Sequence, residues 1–319
     1  VAAKASGDTE GETAARVKLG QLQKQLREHV AKYDLYRDTS REQIGQKVTA
    51  IRPKPGTSTP PKAPPAPPKP TPRKPDTRAI GEAFSDIPGA QAAAVSLIND
   101  APENVRAAWN VIAPRIRFDS KSEASGAWYD PQTRGLTMNT KNVAKGDAVH
   151  PKFSTFYHES GHALDHLAGS GGEIGKYAYM SMTYKDGAFG KALRADAENA
   201  VKHQTGRTLT EQRAELTRAL TEADLQSYGD VSDIMQQATK NKVHGQVGHW
   251  KKVLVQRHPN RYKNYWELKG SLEKEAFAEM YSSVVSNPGS LENLKTFFPN
   301  AYKVFNEILD EIAKKGATP

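Results

Sequence analysis

His158-Glu159-Ser160-Gly161-His162 combines residue types and a spacing that suit metal-assisted hydrolysis. On a helix of about 3.6 residues per turn, His158 and His162 fall one turn apart on one face, so both imidazoles can reach a single ion. Glu159 lies about 100° round the helix, close enough to an ion-activated water to take its proton yet angled away from the ligand pair. Neutral imidazoles suit Zn²⁺, and catalytic zinc sites join three protein ligands to a water in the fourth position. The pattern therefore predicts zinc and calls for a third donor elsewhere in the chain.

The segment Lys274-Glu275-Ala276-Phe277-Ala278-Glu279-Met280-Tyr281 is the best source of that donor. At helical spacing Glu275 and Glu279 share one face, while Phe277, Met280, Tyr281 and Val284 supply an apolar side. A helix that brings Glu275 to the ion leaves Glu279 one turn further on. From there it can accept the other ring N–H of a ligand histidine, which fixes the tautomer. Asp165 and His166, one turn beyond His162, compete for the third place. His166 would bind from the same helix at a wide angle that strains a tetrahedron, and Asp165 suits a supporting role better.

The elements that must carry these residues can be read from the same pattern. Phe153, Phe156, Leu164 and Leu167 fall opposite the two histidines, so the helix can bury one face and present the other to a cleft, with Pro151 in its first turn. Gly161 costs a helix about 1 kcal/mol relative to alanine. Small residues at Ser160 and Gly161 make sense where another element comes close. Upstream, helices are expected over 90–98 and 102–112 and a strand over 115–118. A hairpin of 127–129 with 136–139 follows, turning through 130–135. From Gly171 onward the chain reads as mainly helical, with breaks near 203–208 and 241–249, and His203, His244, His249 and His258 there read as structural or surface residues.

At these residues the chain resembles the gluzincin branch of the zinc metallopeptidases, and most of all the anthrax lethal factor type. That family runs His-Glu-x-Gly-His-x-x-Asp and, later, Glu-x-Phe-Ala-Glu. The matching residues here are His158 to Asp165 and Glu275 to Glu279. The resemblance, over roughly 110–315, implies that His158, His162 and Glu275 bind zinc and that Glu159 is the general base. It implies an α+β, zincin-like fold that is mainly helical, with a small twisted sheet beside the active-site helix. An edge strand would line the cleft and pair with a peptide, with Trp128 along the groove. It also implies an oxyanion-stabilising tyrosine, for which Tyr265, Tyr262 and Tyr228 are candidates, and a closing helix through Leu294–Tyr302 and Phe305. The 113 residues from His162 to Glu275 exceed the family's interval, so an insertion must be accommodated. A second resemblance, of Gln25–His29 through Tyr36–Glu42 to phage minor-head proteins, implies a head-assembly protein whose metallopeptidase-like domain is self-processing or inactive. A protein-cleaving toxin is a third reading.

Organisation follows composition. Of the 319 residues, 1–52 read as a basic, partly helical arm with a helix over 14–33, 53–78 as a linker, and 79–319 as the enzyme-like domain. Eleven of the 20 prolines fall within 53–75, which favours an extended polyproline spacer. Residues 1–78 hold 16 Lys and Arg against 8 Asp and Glu, a balance of +8, while the remainder holds 29 against 28. The basic charge therefore belongs to the arm, where contact with nucleic acid is expected to be non-specific. With no cysteine, disulfides, thiolate zinc sites and cysteine nucleophiles are excluded. No apolar run is long enough to span a membrane, and Val1 opens nothing like a secretory signal, pointing to a processed or excised segment. Expected partners are a protein or peptide substrate and a phage capsid or host protein. The compartment is open, with virion-associated or secreted and injected settings favoured over resident cytoplasmic ones.

Overall fold

The computed structural model of the chain describes residues 74–122, 126–171, 173, 176–248, 252–254 and 262–315. The arm, its expected helix over 14–33 and the linker up to residue 73 lie outside the described residues, as do His249 and His258. The last residues of the expected linker, from 74 onward, belong to the folded unit. The reason is polar: the Trp109 indole N–H donates to the Asp76 carbonyl (2.7 Å), and the Asn110 side chain accepts from Asp76 N–H (2.7 Å) and donates to the Lys74 carbonyl (3.2 Å).

Three helices open the unit: α1 (Arg78–Phe84), α2 (Ala90–Asp100) and α3 (Glu103–Ile112). A tight turn over Ala113–Arg115 follows, and Pro114 within it delays the first strand, so β1 covers Arg117–Lys121 instead of 115–118. Strands β2 (Ala127–Asp130) and β3 (Gly135–Met138) form the expected antiparallel hairpin, with Ala127 opposite Met138 and Asp130 opposite Gly135. In its turn, the Asp130 carboxylate accepts the Gln132 N–H (2.8 Å) and the Asp130 carbonyl accepts the Arg134 N–H (2.7 Å). The three-stranded sheet has the order β1-β3-β2, with β1 parallel to β3, so β2 is an edge. The architecture among the described residues is α+β, mostly helical with this small mixed sheet.

Beyond α4 (Thr140–Lys145), helix α5 (Ser154–Ser170) carries both histidines. It starts three residues after Pro151, because Phe153 takes a left-handed conformation (φ 65°) before the first helical turn. The predicted apolar face is buried: Phe153 is 4% exposed, and Phe156, Leu164 and Leu167 are fully covered. The long interval to Glu275 is filled by α6 (Met180–Thr183), α7 (Ala188–Lys202), α8 (Leu209–Glu222), α9 (Leu225–Ala238) and a small antiparallel pair, β4 (Lys252–Leu254) with β5 (Tyr262–Asn264). That pair was not foreseen. Helix α10 (Ser271–Ser286) supplies the acidic segment. The expected single closing helix is two, α11 (Pro288–Phe297) and α12 (Pro299–Lys315). Pro299 has no N–H to continue α11 and biases Phe298 away from helical geometry, so the chain turns there. No helix of the described residues is long and apolar enough to cross a membrane.

Helices α5 and α10 make the most extensive contact between any two elements. Gly161 allows it: a Cβ there would stand 2.9 Å from Ala278 Cα and 3.2 Å from Tyr281 Cβ. Alanine at 161 gains about 1 kcal/mol of helix propensity. Overpacking at such a crossing costs about 1–3 kcal/mol and must move α10. Gly161→Ala is therefore expected to lower the melting temperature, and an unchanged melting temperature would show that the crossing absorbs the extra methyl.

Candidate metal centre

Helix α5 presents His158 and His162 toward the side where α10 presents Glu275. Their donor atoms converge. His158 Nε2 lies 3.1 Å from His162 Nε2, and Glu275 Oε2 lies 3.5 Å from the first and 3.3 Å from the second. A tetrahedral zinc with bonds of about 2.0–2.1 Å holds neighbouring donors about 3.3–3.4 Å apart, so these three atoms form one face of such a tetrahedron. Among the described residues this is the group that brings three donors within 4.8 Å of one another, and it could hold a metal ion. The side chains are sheltered: His158 is 19% exposed, His162 15% and Glu275 6%.

Each ligand has a partner that orients it. The other ring nitrogen of His158, Nδ1, faces Glu279 Oε2 at 3.3 Å, so the Nδ1–H tautomer leaves Nε2 for the ion. The Tyr265 hydroxyl donates to Glu275 Oε1, leaving Oε2 turned to the histidines. Tyr265 sits in a tight turn over Tyr265–Glu267, between β5 and α10, and lines the cleft. Tyr228 does not reach it: on α9 its ring packs edge-on against Phe297 at 6.2 Å, a core contact across the α9–α11 seam. The side chain of Tyr262 lies outside the described residues, although its backbone forms β5.

The two rival donors are otherwise engaged. Asp165, fully buried, accepts the Ser181 N–H (2.7 Å) and the Ser181 hydroxyl (2.5 Å), and so pins α6 to α5. Both nitrogens of His166 are occupied. A carbonyl can only accept, so Nε2–H donates to Lys176 O (2.8 Å), and Nδ1 then accepts the Tyr129 hydroxyl (2.8 Å). Burial holds this imidazole below its ordinary pKa, in keeping with the neutral ring. Through Tyr129 the edge strand β2 is fastened to the metal-bearing helix. His203 and His244 bond to main-chain carbonyls of Asn199 (2.6 Å) and Gly245 (3.2 Å), away from the centre.

A cleft of about 320 Å³ opens over the triad, lined by Ala127, Trp128 and Tyr129 of β2 and by Tyr179, Tyr265 and Lys274. Trp128 is 47% exposed at its rim. Glu159, 8% exposed, lines this cleft but is not one of the three donors. Tyr179 and Lys274, whose ammonium lies 5.1 Å from the Tyr179 ring centre, are cleft residues that no local pattern announces.

Charge at the centre is strongly coupled. Burial disfavours an imidazolium at His158, but Glu279, Glu275 and Glu159 outweigh it and hold its pKa well above the ordinary value. Burial likewise opposes an ionised Glu275, and His162 and His158 reverse the balance, holding it well below the carboxylate range. Glu279 is pushed up to about 8 by burial and by Asp230, against the pull of His158. Two imidazoles and a carboxylate held in this way could hold a metal ion. No protein family matches the chain, and neither a curated protein nor a solved structure does.

Proposed function

We propose that the chain is a zinc-dependent endopeptidase of gluzincin type, with a zincin-like fold. The observation that carries this reading is the convergence of His158 Nε2, His162 Nε2 and Glu275 Oε2 to within 3.5 Å of one another, beside Glu159 and an edge strand. Zinc, when bound, polarises the scissile carbonyl and acidifies the attacking water.

The chain's own groups do the rest. Glu159 takes the water's proton and returns it to the departing amine. Glu279 holds the His158 ring in its metal-facing tautomer, and Tyr265 holds Glu275. Lys274 borders the cleft as a donor that can meet the developing oxyanion, whereas the single Tyr265 O–H is committed to Glu275. The free edge of β2 can hydrogen-bond an extended peptide backbone and lay it across the triad. A head-assembly protein would confine the domain to self-processing or leave it inactive, and a toxin would turn the same chemistry on host proteins.

The test is cleavage of an unbiased peptide library, read by mass spectrometry. Internal cuts are expected with zinc-loaded protein, disappearing on chelation and returning with zinc. A fully zinc-loaded chain that cuts nothing would overturn the endopeptidase reading.

A further inference from the structure

A second cavity, of about 360 Å³, adjoins the metal cleft and shares Ala127, His158 and Glu159 with it. Its size falls in the range of about 300–1,000 Å³ usual for ligand pockets. The two spaces follow one another along the edge of the sheet: Gly126 and Ala127 border the cavity, while Ala127, Trp128 and Tyr129 border the cleft. A peptide paired with β2 and cut over the triad would therefore place a side chain next to the scissile bond in this cavity.

The walls say which side chain. Val143, Val149, Pro151 and Val247 form an apolar sleeve. Asp230 and Asp233 bring carboxylates to the same space, and among the described residues no lysine or arginine lines it. Asp230 is a half-buried carboxylate of α9 whose Oδ2 accepts two hydroxyls, from Ser283 (2.7 Å) and from Ser290. Those donors are neutral hydroxyls. An apolar stem with a cationic head matches sleeve and acids together.

We propose that this cavity receives a lysine or arginine side chain flanking the scissile bond, making the enzyme selective for peptides cut beside a basic residue. The inference rests on the endopeptidase reading above.

The experiment uses zinc-loaded full chain and paired peptides that differ at one position, lysine against norleucine and arginine against citrulline. Sites built for a charged group discriminate strongly against neutral isosteres, so kcat/KM should favour the basic member by about 10- to 100-fold. In Asp230→Asn, which keeps an acceptor for Ser283 and Ser290, that preference, read as the ratio of kcat/KM within each peptide pair, should shrink about tenfold. Should Asp230→Asn not fold, Val247→Lys, which sets a competing ammonium in the sleeve, should produce the same loss.

Wild-type cleavage without a basic preference, or a preference that survives these substitutions, overturns the cavity assignment and leaves the endopeptidase reading standing. If nothing is cleaved, fluorescence anisotropy of the same peptides on zinc-loaded Glu159→Gln decides separately. Tighter binding of the basic member that Asp230→Asn removes supports the cavity although hydrolysis has failed, and equal binding overturns both.

Discussion

Glu159→Gln is expected to keep its zinc and lose peptide hydrolysis. Glutamine preserves the shape of the side chain, so packing on α5 changes little, and Glu159 is not among the three donors. What vanishes is a basic oxygen in the cleft. General-base catalysis contributes about 10²–10⁴-fold, and the fall should appear in kcat with KM little altered. The two readings belong together: zinc by mass spectrometry of the purified protein, and turnover on one library-derived peptide. An active Glu159→Gln would remove Glu159 from the chemistry, and a metal-free one would make it a ligand.

The second large effect is expected from the ligands. Glu275→Ala takes one of three donors away and leaves two imidazoles, too few for a tetrahedral catalytic site. His162→Ala does the same from α5. Both should lose zinc and all activity while keeping their helical circular dichroism, since the core under the site is apolar and closed. His166→Ala is the contrasting case. Its nitrogens serve Tyr129 and Lys176 O, so the variant should retain zinc yet melt lower, with β2 released from α5. Zinc lost from His166→Ala but kept by Glu275→Ala would mean that the third donor had been misassigned.

What the sequence made legible was local or periodic. The pairing of His158 with His162, the buried face through Phe156, Leu164 and Leu167, and the Glu275–Glu279 stripe all follow from 3.6-residue spacing. The need for a small residue at 161 was also visible, although its partner, Ala278, was not. Residues that depend on distant chain reversals escaped. Tyr228 is one of the three tyrosine candidates, but α9 turns it to Phe297. Tyr265 reaches Glu275 only because the β4–β5 pair and the turn after it return the chain to the cleft. Asp165, plausible beside a ligand from its spacing, is drawn to Ser181 by α6, a helix of four residues that carries no periodic signal. Asp230 and Asp233, one turn apart on α9, line a cavity that residues of α5 and α10 also line, and no local pattern announces it.

Metal stoichiometry reaches the root of the account most directly. Purified chain should be loaded with zinc, dialysed against metal-free buffer and measured beside a His158→Ala/His162→Ala/Glu275→Ala variant. The account predicts about one zinc per wild-type chain and almost none in the triple variant. Equal zinc in both would contradict it, placing the ion elsewhere and leaving the converging imidazoles and carboxylate as a salt-bridged helix contact.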